Sequence, residues 1–180
     1  MKTIALIEYH YGGHHATYLK LFSKALLDLG HRVMVFSSKP EEIRSWLVDN
    51  YSTDRSHVFF IDQQGRVPIP AIKDKLPTVL DVLQRWIYAA SLIRSSSTKI
   101  GYTPDLVFFN SLDSYFSRYL LHPIIDLVFP YKWSGLCLQE NLELSRTKIT
   151  RQSFPCHFIT IRSSNCKAIA NLDRESGQKL

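Results

Sequence analysis

The sequence predicts an α/β protein in which residues 1–180 form a single Rossmann-like domain, a doubly wound, mostly parallel sheet with helices on both faces. Three observations support this prediction. Apolar segments of strand length alternate with segments of helical periodicity, a pattern typical of parallel sheets covered by helices. The first 36 or so residues form a complete βαβ pattern. The length, with 45% hydrophobic and 21% charged residues, is typical of one globular core.

The βαβ unit is the best-defined pattern in the chain. Residues 3–8 form an apolar run with β-branched members, which predicts a buried strand. Residues 16–29 carry apolar side chains at helical spacing. Gly30 then provides a helix stop, because glycine readily adopts the left-handed conformation that ends helices. A second apolar run at 33–36 predicts the next strand, parallel to the first.

The segments that follow alternate in the same way. The predicted strands are 57–61, 106–109, 133–138 and 166–172. The predicted helices are 40–48, 76–95 and 114–128, the last broken near Pro123. Residues 63–70 predict a loop, and the type of an element at 157–161 stays open. Right-handed crossover connections between such strands produce a doubly wound sheet.

The charge balance favours anionic partners other than nucleic acid. Lysine and arginine number 22 against 16 acidic residues, for a net charge of +6. No run of five or more basic residues occurs, whereas a nucleic-acid-binding surface is expected to cluster them. A phosphorylated ligand or an acidic membrane surface is therefore the favoured class of partner.

The sequence also predicts a cytoplasmic protein. The three cysteines form no Cys-x-x-Cys pair, and an odd number suits reduced thiols better than a disulfide framework. The N-terminal apolar stretch is too short for a signal-peptide core, and no later stretch of about 18 residues is apolar and uncharged. Peripheral contact with the inner membrane face stays open.

The candidate ligand-binding loop joins the first strand to the first helix. Gly12 and Gly13 allow the backbone to approach a ligand closely, and the helix that begins near His14 directs its positive end there, which favours phosphate. A tight turn without a ligand explains the glycine pair equally well. His10, His14 and His15 lack the carboxylate and spacing of a His-Glu-x-x-His zinc site, and the Gly-x-Gly-x-x-Gly fingerprint is absent. No metal and no cofactor are predicted.

Three consecutive motifs at the start of the chain match a known enzyme family. Residues 11–15 (YGGHH) form a Gly-Gly turn, residues 22–31 (FSKALLDLGH) form a helix with a glycine–histidine exit, and residues 32–35 (RVMV) begin the next strand. Together they resemble the opening of family 4-type GT-B glycosyltransferases. The resemblance covers the first 40 or so residues, and beyond them the alternation of strands and helices agrees.

The resemblance implies one half of a two-domain enzyme that transfers a sugar from a nucleotide-sugar to a carbohydrate or lipid-linked acceptor. The active site would lie in the cleft between the halves, with this N-terminal half on the acceptor side. Gly12 and Gly13 would then contact the diphosphate and sugar of the donor, with His14 as a neighbour.

The ends of the fourth and fifth predicted strands would line the acceptor side of the cleft. Asn110, Ser111 and Asp113 follow the fourth strand, where many relatives have a histidine that this chain lacks, so no catalytic residue is assigned. Glu140 and Asn141 follow the fifth strand, and a carboxylate there could act as a base toward an acceptor hydroxyl. The alternative for Glu140 is a solvated loop position, which is the norm for carboxylates.

The helix predicted at 76–95 has two interpretations. Arg85 and Arg94 near Trp86 and Tyr88 suit a helix that lies at a membrane surface. Tryptophan more often packs into a core, which favours the second interpretation, a helix covering the sheet.

The second Rossmann-like domain of such enzymes holds the nucleotide through a Glu-x7-Glu motif, and no part of this chain resembles that domain. We therefore expect a truncated or split half, completed by a separate C-terminal-domain polypeptide and inactive alone, because a lone half cannot exclude water from the donor. One alternative is a non-catalytic module that binds a sugar, a phosphate or a partner protein. Another is a small stand-alone Rossmann-like enzyme, disfavoured because no nucleophile triad or cofactor fingerprint is present.

Overall fold

The computed structural model describes residues 1–8, 13–51, 55–63, 79–115, 122–137 and 163–171. These residues contain six strands, numbered in chain order: β1 Thr3–Ile7, β2 Arg32–Ser37, β3 Val58–Asp62, β4 Leu106–Phe109, β5 Trp133–Cys137 and β6 Cys166–Asn171. Each lies within a residue or two of a predicted strand. The predicted element at 157–161 and most of the predicted loop at 63–70 lie outside the described residues.

Four α-helices accompany the strands: α1 Gly13–Asp28, α2 Pro40–Asn50, α3 Val79–Ile100 and α4 His122–Val128. Short 3-10 turns occur at Arg55–His57 and Leu112–Tyr115. The predicted break near Pro123 is the beginning of α4. Pro123 lies in the first turn of that helix, where its missing N–H removes no intrahelical hydrogen bond.

The six strands form one parallel sheet in the order β3-β2-β1-β4-β5-β6. The order runs outward from β1 in one direction and then reverses, so that β1 and β4 are neighbours although about 100 residues separate them in sequence. The predicted Rossmann-like α/β sheet is therefore confirmed, and every strand pair among the described residues is parallel.

Two hydrophobic cores lie on opposite faces of the sheet, because successive side chains of a strand point to opposite sides. In β1, Ile4 and Leu6 pack with residues of α1 and α2, such as Leu19 and Leu47. The alternate residues of the same strands, Ile7 among them, pack with residues of α3 and α4. Helices thus cover both faces, which explains why β1 is buried along its whole length.

An aromatic cluster forms the centre of the second core. The fully buried Trp86 lies with its ring centroid 5.1–5.2 Å from those of four other aromatic side chains, Phe109, Tyr115, Phe129 and Trp133. Its indole Nε1 donates a hydrogen bond of 3.0 Å to the backbone oxygen of Tyr115. The core interpretation of this helix is therefore confirmed at Trp86.

One of the two basic residues considered on α3 has a partner within the protein. Arg85 donates from Nη1 to the backbone oxygen of Ser114 at 2.6 Å, which ties the helix to the turn after β4, while Arg94 is exposed. No helix among the described residues is both long enough and apolar enough to cross a bilayer.

Asp126 connects α4 to the turn that precedes β6. Its carboxylate accepts hydrogen bonds from the Ser163 hydroxyl and, at 3.1 Å each, from the backbone N–H and hydroxyl of Ser164. Ser163 Oγ in turn accepts a bond of 3.2 Å from Nε1 of Trp133. Burial acts to raise the pKa of Asp126, but the hydrogen bonds from Ser163, Ser164 and Asn165 outweigh it, and the pKa lies below its ordinary value of 3.8.

Substituting Asp126→Asn is expected to lower the free energy of unfolding by about 1 kcal/mol near neutral pH, because the amide cannot accept all of these bonds. Because the pKa of Asp126 is lower in the folded state, its ionised carboxylate stabilises the fold. This contribution is fully present above the ordinary carboxyl pKa, and it is lost as the pH falls through the folded-state pKa. The difference in unfolding free energy between the wild-type protein and Asp126→Asn, measured by urea denaturation, should therefore decrease from pH 5 to about pH 3. Asp28→Asn, which removes an exposed pair with Lys24, is the control and should change stability by less than about 0.5 kcal/mol. An equal effect of the two substitutions would contradict this prediction.

Candidate functional site

The candidate site lies at the carboxyl edge of the sheet, between β1 and β4. The last paired residues of these strands are Ile7 and Phe109, and the backbone N–H of Asn110 donates to the oxygen of Ile7 at 3.0 Å. Glu8 and Asn110 therefore occupy neighbouring positions immediately beyond the strands. Parallel α/β sheets bind ligands at this edge, where the strand order reverses and the following loops diverge.

Glu8 is the first polar residue after the apolar residues 4–7 of β1, and its side chain is buried. Its Oε2 atom lies 3.3 Å from Nδ1 of His15, in the first turn of α1, and the imidazole is partly exposed. A carboxylate near a helix N-terminus is favourable because it faces the positive end of the helix dipole. Both residues belong to the loop that the sequence predicts at the ligand edge, but the prediction assigned a ligand contact to neither. The feature of the sequence that could have identified Glu8 is a single carboxylate directly after a predicted buried strand.

Gly13 begins α1 and adopts a φ of +52°, in the left-handed region where side chains are strained. Among the residues that the structure describes, no atom lies within 4 Å of the position that a Cβ on Gly13 would occupy. The left-handed conformation by itself accounts for the glycine, in agreement with the tight-turn interpretation. Within the described residues, the open space at this position also permits a ligand to approach the backbone. Gly12 lies outside the described residues.

His14 is exposed at the start of the same helix. Its ring stacks on that of His15, with centroids 4.3 Å apart and planes inclined by 29°, and its edge approaches Tyr18. The imidazole is therefore positioned by aromatic contacts while one side faces solvent at the carboxyl edge of the sheet.

Asn110 is completely buried, and within the described part of the chain neither its Oδ1 nor its Nδ2 has a hydrogen-bond partner. A buried amide without partners destabilises a fold by about 1–3 kcal/mol, so such groups are rare and usually serve a purpose. Ser111 is also buried. The predicted position of both residues at the end of β4 is confirmed.

The remaining predicted acceptor-side residues are described in part or not at all. The backbone of Asp113 lies in the turn Leu112–Tyr115, and its side chain is outside the described set. Glu140 and Asn141 also lie outside it. Their assignment to the acceptor cleft stays a prediction.

A concavity opens at the same edge of the sheet, beyond β2 and β3, and the sequence prediction did not include it. Its volume is about 460 Å³, and the lining residues are Ser38, Lys39, Pro40, Glu41, Glu42, Phe60 and Asp62. Burial raises the pKa of Tyr88, on the neighbouring α3, and the charge of Asp62 raises it further. Tyr88 is therefore a neutral phenol at physiological pH, and the carboxylates of this concavity disfavour an anionic ligand there.

Within the described ranges, no three histidine, cysteine or acidic side chains come close enough together to hold a metal ion. Cys166 is a free thiol whose pKa is raised by burial. No protein-family model, no curated protein and no solved structure matches this chain.

Proposed function

We propose that this chain is the acceptor-side half of a GT-B glycosyltransferase, which transfers a sugar from a nucleotide-sugar to a carbohydrate or lipid-linked acceptor once a second, nucleotide-binding domain joins it. One observation carries the proposal. Gly13, the second glycine of the motif that resembles the family, begins α1 directly after the loop from β1, the strand at which the order reverses, and no described atom lies within 4 Å of its Cβ position.

The arrangement of the sheet supports the finer assignment of a doubly wound domain. The strand order 3-2-1-4-5-6 with a core on each face is the arrangement in which mononucleotide-binding folds place their ligands between the first and fourth strands. Gly13 and His14 begin α1, which follows β1 in the chain, while Asn110 and Ser111 follow β4, the neighbour of β1 in the sheet.

Each of these residues has a proposed role in binding the substrates. Gly13, at the start of α1, brings main chain close to the donor, and His14 offers an exposed imidazole beside it. Asn110 and Ser111 orient the group that enters between β1 and β4. The second domain holds the nucleotide and closes the cleft, which excludes water during transfer. No residue of this chain is assigned as the catalytic base.

The first test is binding of UDP-, GDP- and ADP-sugars to the 180-residue chain, by thermal shift and calorimetry, with and without a polypeptide that carries the Glu-x7-Glu domain. We expect binding only in the mixture, because each half supplies part of the cleft. Tight binding of a nucleotide-sugar by this chain alone would overturn the half-enzyme assignment.

The two ends of α1 provide a matched pair of variants for this test. Gly13 and Gly30 both have positive φ angles, +52° and +74°, and no described atom lies within 4 Å of either Cβ position. Alanine should strain either backbone by about 1 kcal/mol. Only Gly13→Ala should weaken binding in the mixture, since Gly30 lies at the opposite end of the helix. Equal loss of binding in both variants would indicate a stability effect and would argue against a site at Gly13.

A non-catalytic binding module is the second candidate. It is favoured by the amide of Asn110 near the point where many relatives have a histidine, because an amide neither donates nor accepts a proton in catalysis. This candidate predicts that the chain binds a sugar without a partner domain, and that no transfer occurs when the partner is added.

A further inference from the structure

The strand β3 forms one edge of the sheet, and its outer side has no partner strand among the described residues. The backbone N–H of Gln63 donates to the oxygen of Ser37, in β2, at 3.0 Å. Because the backbone polar groups alternate in direction along a strand, every second residue of β3 directs its N–H and C=O outward, namely Val58, Phe60 and Asp62. These residues present a row of donors and acceptors with which a further strand can pair.

The two edges of the sheet differ in how they are protected. At the opposite edge, β6 carries an exposed lysine, Lys167, and its pairing with β5 contains a register shift. Lysines and bulges are devices by which proteins prevent strand pairing at an edge. In contrast, β3 pairs with β2 without a shift, and its first four residues are apolar and half-exposed. Such an edge is typical of a strand that another strand covers.

A concavity of about 420 Å³ follows the outer side of β3. Phe59 and Phe60 both line it, although successive side chains of a strand point to opposite faces of the sheet. Arg44 of α2 and Ile100 of α3 line it as well, and these helices cover opposite faces. A space that both faces share lies alongside the edge of the sheet, where an added strand would lie.

We propose that β3 pairs antiparallel with β3 of a second copy of this chain, so that the sheet continues from one copy into the other. A two-fold axis perpendicular to the sheet then brings Phe60 opposite Phe60 of the second copy, and Val58 opposite Asp62. In this register each outward-facing residue exchanges both backbone hydrogen bonds with its counterpart. The aromatic rings meet at the axis, and the one charged residue of β3 does not meet itself.

The charges along this edge favour a second copy as the partner. Asp62 is exposed and shares a face of the strand with Val58 and Phe60. The Cζ atom of Arg44 lies 4.9 Å from the centre of the Phe60 ring, and Arg44 lines the concavity together with Val58. Asp62 of the second copy, opposite Val58, therefore comes next to Arg44. The two-fold axis produces this ion pair twice.

Arg44 also contacts a carboxylate of its own helix. Its Nε atom lies 3.2 Å from Glu41, and the guanidinium has five N–H donors, so one group can bind both carboxylates. The contact with Glu41 holds the cation beside β3 in the single chain and favours its pairing in the dimer.

The association is tested by sedimentation velocity on the full chain, which we expect to have twice the 20.8 kDa mass of one chain at about 100 μM. Asp62→Arg and Arg44→Glu each place like charges together and should raise the dissociation constant about tenfold. The double variant exchanges the two charges and should restore the dimer. Asp28→Arg, which reverses an exposed carboxylate on α1, is the control and should leave association unchanged.

A second pair of variants tests the strand pairing itself. Asp62→Pro removes an outward N–H and keeps the bonds to β2, so it should break the dimer while the circular dichroism spectrum of the fold is retained. Asp62→Ala keeps that N–H and should weaken the dimer less. Hydrogen exchange of the Phe60 amide, followed in 15N spectra, should be slower in the wild-type dimer than in Asp62→Pro.

Three results would overturn the inference. The first is a wild-type chain that stays monomeric at about 100 μM. The second is a dimer that the charge variants do not weaken or the double variant does not restore, and the third is equally fast exchange of the Phe60 amide in both proteins. The inference goes beyond the proposed function and is independent of it, because β3 lies two strands from β1 and these measurements need no nucleotide-sugar.

Discussion

Replacing Trp86 by alanine is expected to lower the free energy of unfolding by about 3–5 kcal/mol, the range for deletion of a fully buried aromatic side chain. The indole occupies the centre of the aromatic cluster and contacts residues from β4, β5, the turn after β4 and the position directly after α4. Its removal leaves a cavity that these four neighbours cannot fill together, since they belong to different elements. Urea denaturation monitored by circular dichroism measures the loss.

Two further substitutions separate the contributions to this effect. Trp86→Phe keeps an aromatic ring in the cluster but removes the donor to the oxygen of Tyr115, and should lower stability by about 1–2 kcal/mol. Ile87→Ala alters the next residue of α3, which is 47% exposed, and should change stability by about 0.5 kcal/mol or less. If Trp86→Ala were as mild as Ile87→Ala, α3 would not cover the sheet as described, and the membrane-surface interpretation would regain support.

Introducing a side chain at Gly135 is expected to produce the second large loss. A Cβ at this position in β5 would lie 2.9 Å from the backbone oxygen of Phe109 and 3.1 Å from the Cβ of Leu112. The oxygen belongs to β4 and cannot rotate away, so the strands or the following turn must shift. Gly135→Ala should lower stability by about 1–3 kcal/mol, and Gly135→Val by more, as is usual for overpacking.

The same substitution should also disturb the candidate site, because the displaced atoms flank Asn110 and Ser111. In 15N spectra, Gly135→Ala should move the backbone signals of these two residues. Ser134→Ala is the matched control, since the neighbouring position in β5 already holds a Cβ, and it should leave those signals nearly unchanged. A stable Gly135→Val variant with an unaltered spectrum would contradict the close packing of β5 against the end of β4.

The individual elements follow from local patterns, and the prediction identified them well. β4 has the predicted bounds, β1 ends one residue earlier than predicted, and β2 is one residue longer than predicted at each end. These segments can be recognised from the local sequence, because the burial pattern of a strand and the amphipathic pattern of a helix repeat along neighbouring residues. The bounds of α1 and α3 are less well predicted, since each helix extends beyond its apolar stripe at one end.

The sequence predicted those features of the candidate site that depend on local pattern. Residue type and the position after a strand placed Asn110 and Ser111 at the carboxyl edge, and the structure has them there. The complete burial of Asn110 was not predictable, because it depends on elements that are distant in sequence. The contact between Glu8 and His15 was also missed, since it spans a loop whose path has no local pattern.

By itself, then, the sequence determined the α/β class, the succession of strands and helices, and the glycine that begins α1, because each depends on neighbouring residues along the chain. The tertiary structure decided which strands are neighbours, that Trp86 lies in the core, and that Glu8 and Asn110, whose amide has no partner among the described residues, occupy neighbouring positions where β1 and β4 end. These features depend on strand pairing and on packing between segments up to about 100 residues apart. Such contacts produce no periodic pattern in the sequence.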